Sequence, residues 1–156
     1  HTRCLSDWSS DVCSSDLRNK NPLSLLMLDI DYFKKINDSY GHLVGDRVLA
    51  EIGELIRKTL RHENIACRYG GEEFAVVLRN TGPMAAETVA ERLRSTIEKT
   101  NFTHLNQQLK VTISIGIATF DHNNFETYEE LIKYADELLY ESKLNGRNRI
   151  TLKKAA

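Results

Sequence analysis

The sequence predicts an α+β fold with a mainly antiparallel central sheet flanked by helices. Short apolar runs of strand length are interleaved with amphipathic helical stripes. A Gly-Gly pair separates two of the short strands, which is a hairpin signal. The resulting order is strand, helix, helix, hairpin, helix, strand, helix, strand, and such an order favours helices layered on a sheet with antiparallel neighbours.

Each element has a local reason. Leu23 to Ile30 (LSLLMLDI) is apolar throughout and of strand length, as in a strand buried on both faces. Asp31 to Tyr40 is expected to be a short helix ended by Gly41. Asp46 to Leu60 places Val48, Leu49, Ile52, Leu55, Ile56 and Leu60 on one helical stripe. Ile65 to Tyr69 and Glu73 to Leu78 are short strands around Gly70-Gly71. Pro83 opens a helix that runs to about Lys99, proline being tolerated in a first turn. Val111, Ile113, Ile115 and Ile117 alternate with small or polar residues, as a strand requires. Tyr128 to Leu144 is amphipathic and ends near Gly146, and Arg149 to Leu152 is a short last strand.

The 156 residues suit one domain, and 41% hydrophobic with 28% charged residues allow both a core and a solvated surface. A formal net charge of -1 lacks the basic footprint of a nucleic-acid binder. It leaves room for a local cationic site on a small phosphorylated ligand. Cys4, Cys13 and Cys67 are odd in number and irregularly spaced, which argues against a disulfide framework or a zinc site and fits a reducing cytosol. No apolar run reaches transmembrane length, so no membrane contact by this domain is expected, though an anchor outside the chain is compatible. The opening HTRCLSDWSSDVCSSDL repeats Ser-Asp without helical or strand period. Residues 1–17 are expected to be a non-native or disordered segment, resembling translated adapter sequence, with the domain spanning 18–156.

Three clusters carry chemistry. In LDIDYFKKINDSYGH, Asp29 and Asp31 end the buried strand, where carboxylates can meet solvent and a hard cation. Asp31 also suits the cap of the next helix. In RYGGEEF, Gly70 and Gly71 allow a ligand close to the backbone and offer N–H groups to phosphates. Glu72 and Glu73 follow, and strand alternation should let only one of them share a metal with Asp29. The bland reading is a plain turn with solvated glutamates. In KLNGRNR, Lys143 and Arg147 either complement a helix C-terminus or clamp phosphate oxygens.

In order and spacing, DIDYFKKIND, GHLVGD, RYGGEEF, VTISIGIA and ADELLYESKLNGRN together resemble the GGDEF family, in its GGEEF variant, over roughly Leu23 to Arg149. The resemblance implies a palm-like fold as in nucleotidyl cyclases. It implies a diguanylate cyclase that condenses two GTP into cyclic di-GMP with release of pyrophosphate. The alternative is a catalytically silent domain that senses GTP or cyclic di-GMP.

The family pattern implies Mg²⁺, with Mn²⁺ a substitute, held by Asp29, Glu72 and the Ile30 carbonyl. Glu73 is implied to support catalysis. Asn37 and Asp46 would read guanine, with Phe33 and Leu49 beside the base, and Asp46 could equally cap a helix. Lys143 and Arg147 would hold phosphates. Catalysis would need a homodimer; a cytoplasmic location and a sensor or receiver domain upstream of this chain are expected as well.

Two departures stand out. The Asp-x-Leu-Thr-Gly-Leu-x-Asn-Arg segment expected before the first strand is replaced by the opening stretch. The family's inhibitory Arg-x-x-Asp reads Arg61-His62-Glu63-Asn64 here, with Arg92 as the distant arginine. Arg61 and Arg92 could also be solvated helix charges.

Overall fold

The computed structural model describes residues 21–104, 106–120 and 125–153. The expectation for residues 1–17 lies outside them. The first strand, β1 (Leu23–Ile30), is buried along its whole length. It sits at the centre of a five-stranded sheet ordered β2-β3-β1-β6-β7, where β2 is Ile65–Arg68, β3 is Glu73–Arg79, β6 is Ile113–Phe120 and β7 is Ile150–Thr151. Every pairing is antiparallel except β6 with β7. The expected α+β class is therefore the observed one.

Alternation along β1 divides the core into two layers. Leu26, Leu28 and Ile30 face α1 (Phe33–Tyr40), α2 (His42–Thr59) and α3 (Pro83–Lys99), meeting Ile36, Val48, Ile52, Ala90 and Leu93. Leu25 and Met27 face α4 (Tyr128–Leu144), meeting Leu131, Ala135 and Leu139. Each buried Leu or Ile contributes roughly 1.5–3 kcal/mol. Ser24 and Asp29 are the two polar residues of this strand, and Ser24 lies near its start. Ser24 is satisfied by the Thr81 carbonyl at 2.8 Å and the Thr119 hydroxyl at 2.9 Å.

The connection from β6 through α4 to β7 brings the end of α4 back beside β1. It is fitted by Gly116, whose missing Cβ would lie 2.2 Å from the Ala135 carbonyl oxygen and 2.3 Å from the Leu139 nitrogen. Only glycine allows the helix so close.

The structure differs from the expected elements in several places, among them the last strand, which is Ile150–Thr151 rather than Arg149 to Leu152. Helix α2 begins at His42 rather than Asp46, because Gly41 at φ 91° ends α1 and opens α2 directly. Helix α1 begins at Phe33, after Tyr32 in the left-handed region. Val111 is buried but precedes β6. A further small hairpin, β4 (Phe102–His104) with β5 (Gln107–Leu109), forms a separate two-stranded sheet.

Candidate active site

Asp29 is the penultimate residue of β1 and is 4% exposed. Its register partner on β3 is Glu73, so the two carboxylates are cross-strand neighbours on the α4 side of the sheet. Glu72 lies in the bend just ahead of β3, and its carbonyl accepts the Ile30 N–H at 3.3 Å. Glu72 is therefore outside the strand, and the alternation argument does not apply to it. Lys143, one residue before the end of α4, donates to Asp29 Oδ2.

Negative charge exceeds positive charge here. Burial raises the Asp29 carboxyl above its usual range, opposed by the Lys143 hydrogen bond and charge. Burial and then the Asp29 charge raise Glu72. Burial, then Asp136 and then Asp29 raise Glu73. Asp136, on the same helix as Lys143, is itself raised by burial. A site that holds carboxylates against their own repulsion suits a hard cation, which prefers such oxygens and retains water. Among the described residues no three acidic, His or Cys side chains already converge on one point.

The Gly70-Gly71 turn is braced by Arg68. Its Nε reaches the Gly70 and Gly71 carbonyls at 3.2 and 3.1 Å, and its second guanidinium nitrogen reaches Gly71 at 2.6 Å. The Gly70 N–H is taken by the Glu73 carbonyl at 3.3 Å.

On the other side of β1, α1 and α2 form a second subsite. Asn37 Oδ1 is buried without a hydrogen-bond partner. It lies where a Cβ on Gly45 would fall, 1.8 Å away. Glycine at 45 thus leaves room for the amide, and an unpaired buried acceptor is costly until a donor arrives. Phe33 and Leu49 are buried nearby in the same core layer. Asp46 is exposed inside α2 rather than at its cap, so its carboxylate is not used in capping.

Asp31 does not cap α1, whose N-cap residue is Tyr32 with no side-chain cap bond. Its buried carboxylate instead accepts from Thr112 Oγ1 at 2.7 Å, Ser114 Oγ at 2.6 Å and the Asn148 N–H at 2.9 Å. It ties β1 to β6 and to the turn that carries Arg147. The Arg147 guanidinium lies 4.7 Å from the centroid of the Tyr32 ring, a cation–π contact. Tyr32, Asn148 and Asp136 were not singled out on sequence. The 3.6-residue spacing of α4 could have flagged Asp136, seven residues before Lys143, but no local signal marks the other two.

Arg61, Asn64 and Arg92 line one cavity of about 120 Å³, together with Asn80 and Thr81. Asn64 Oδ1 already accepts the Arg79 N–H at 3.1 Å.

Carboxylates at adjacent strand ends, a cationic helix end and a polar niche beside an apolar wall are carried on an α+β domain of the cyclase palm class. The family described as "Diguanylate cyclase, GGDEF domain" matches residues 4–149, and the chain belongs to it. That match begins inside the opening stretch. The chain is 47% identical to Diguanylate cyclase A of Treponema denticola over 141 residues, covering 90% of this chain and 38% of that protein. It is 43% identical to Response regulator PleD of Caulobacter vibrioides over 137 residues, covering 86% of this chain and 30% of that protein. The chain thus spans about a third of the length of these relatives. Among solved structures, the active GGEEF domain of a diguanylate cyclase from Vibrio cholerae superposes with TM-score 0.89 at 30% identity, covering 100% of this chain and 97% of that one. The GGDEF domain of DgcB from Caulobacter crescentus, in complex with c-di-GMP, superposes with TM-score 0.88 at 31% identity, covering 94% and 86%.

Proposed function

We propose that this chain is the catalytic domain of a diguanylate cyclase, joining two GTP into cyclic di-GMP. The observation that carries the reading is the contact of Lys143 with the buried Asp29 carboxylate, beside both signature glutamates. The cationic group suited to phosphate and the carboxylates thus share one end of the sheet's central strands.

In each linkage step the 3′-hydroxyl oxygen of one GTP bonds to the α-phosphorus of the other. The bond to pyrophosphate breaks, pyrophosphate leaves, and the hydroxyl proton passes to solvent. Asp29, Glu72 and the Ile30 carbonyl would hold Mg²⁺ or Mn²⁺. Bound there, such a cation would supply neutralisation of the phosphate charge and acidification of the attacking hydroxyl. Glu73, opposite Asp29, keeps a second carboxylate beside the reacting groups. Lys143 and Arg147 bind and orient the phosphates.

Asn37 Oδ1 and the Asp46 carboxylate accept from guanine N1–H and N2–H₂. Adenine lacks that donor pair, so the niche favours GTP. Phe33 and Leu49 give the base an apolar wall, and Gly70-Gly71 let the nucleotide approach the backbone.

The product contains two identical linkages and one domain holds one GTP, so a second copy must supply the partner substrate in a homodimer. Arg61, Asn64 and Arg92 form a product-binding site. GTP places the reaction in the cytoplasm, and among the described residues no helix is long and apolar enough to cross a membrane. Incubation with GTP and Mg²⁺ followed by chromatography tests the reading. Cyclic di-GMP and pyrophosphate are expected, and binding of GTP without any turnover would replace it with the silent-sensor alternative.

A further inference from the structure

The turn after α4 holds a strained arrangement that phosphate binding by Arg147 does not itself explain. Arg147 and Asn148 stand at φ 62° and 47°, and Tyr32 beneath the guanidinium stands at φ 55°. None is glycine, and side chains disfavour this region sterically. Such residues persist where their surroundings over-determine them.

Here the surroundings act through Asn148. Its N–H donates to Asp31 Oδ2 at 2.9 Å, and Asp31 is held in turn by the Thr112 and Ser114 hydroxyls. Its side chain reaches the opposite way, to α3. Oδ1 accepts from Arg94 Nη1 at 2.8 Å, and Nδ2 donates to Glu98 Oε2 at 2.8 Å. Arg94 is fixed by Glu98 and by two bonds to Glu91. Both ends of the Asn148 amide are used, one accepting and one donating. A carboxylate in its place could not supply the donor.

We infer that Asn148, anchored to α3 by Arg94 and Glu98, is a positioning residue that locks this turn and presents Arg147 to the phosphates of the bound nucleotide. It touches no reacting atom. The gain is pre-organisation: an arginine ordered before binding loses less freedom when it binds. The inference rests on the proposed phosphate role of Arg147.

The test is equilibrium binding of GTP and of guanosine to the full chain with Mg²⁺. The variants are Arg147→Ala, Asn148→Gly and Arg94→Gln, alone and paired. Asn148→Gly keeps the positive φ accessible while removing the amide. Arg94→Gln acts from α3, so it serves even if the first variant folds poorly. Each should weaken GTP binding about five- to tenfold and leave guanosine binding unchanged. Neither should weaken GTP further once Arg147 is alanine. Equal losses for guanosine, or losses that add to that of Arg147→Ala, overturn the positioning role alone. If Arg147→Ala itself leaves GTP affinity intact, the phosphate reading of Arg147 fails and the positioning role fails with it.

Discussion

Gly116 of β6 lies directly against Ala135 of α4, so close that a Cβ at residue 116 would sit 2.2 Å from the Ala135 carbonyl oxygen. This contact sets the distance between helix and sheet, and Lys143 lies two turns further along the same helix. Gly116→Ala should therefore destabilise the domain by overpacking, by about 1–3 kcal/mol or more because the obstacle is backbone. A thermal melt checks this, and an unchanged melting temperature would mean that α4 can move outward without cost.

Asp29→Asn and Glu72→Gln should each abolish cyclic di-GMP formation while the fold survives. Asp29 is the buried penultimate residue of a strand held mainly by apolar packing, so the neutral amide fits the same space. Product formation within a few-fold of the parent, in either variant, removes that residue from the metal site. Circular dichroism on the same samples separates lost chemistry from lost structure.

Asp46→Ser should relax discrimination against ATP. The carboxylate is exposed on α2 and plays no part in capping, so its loss should not unfold the helix. Losing a charged hydrogen bond to guanine should cost roughly 1.5–3 kcal/mol of GTP binding. Competition between GTP and ATP gives the answer, and an unchanged preference leaves Asn37 as the reader of the base.

Asn64→Asp should tighten cyclic di-GMP binding at the Arg61, Asn64 and Arg92 cavity. The single Asn64 acceptor already serves the Arg79 N–H. An aspartate has a second, charged oxygen to spare, and charge-assisted bonds are roughly twice as strong as neutral ones. Calorimetric titration of both proteins decides. Equal and tight binding would show that asparagine suffices.

Asp136 gives a pH-dependent prediction. Burial raises its carboxyl above the ordinary 3.8 in the folded state, with Lys143 opposing the rise. A raised folded-state value means that the neutral form is favoured on folding. Its stabilising share is complete below the unfolded value and is lost as pH rises through the folded one. Asp136→Asn stays neutral throughout, so it should raise the melting temperature at pH 7, by a small amount because solvent reaches the side chain. The increment should vanish near pH 3. Equal increments at both pH values would show that ionisation is not the cause.

The elements whose signal is local were legible in the sequence. The unbroken apolar run of β1, the stripes of α3 and α4 with Pro83 at one start and Gly146 past one end, and the hairpin around Gly70-Gly71 all depend on neighbours within a few residues. The order of the motifs made the family readable as well. The β4–β5 hairpin was not readable, because its three-residue strands are too short to show a period.

Tertiary structure decided which groups meet. Asp31 suits the cap of the next helix on local grounds, yet it does not cap it. Its partners Thr112, Ser114 and Asn148 lie 81, 83 and 117 residues away. The pairing of Asp29 with Glu73 depends on strand register, and that of Asp29 with Lys143 on how closely Gly116 admits α4. The left-handed turn at Arg147 and Asn148 is stable only because α3 supplies Arg94 and Glu98. Residue type fixes what each side chain can donate, accept or repel, but its partner is set by chain closure over a hundred residues, for which no local pattern exists.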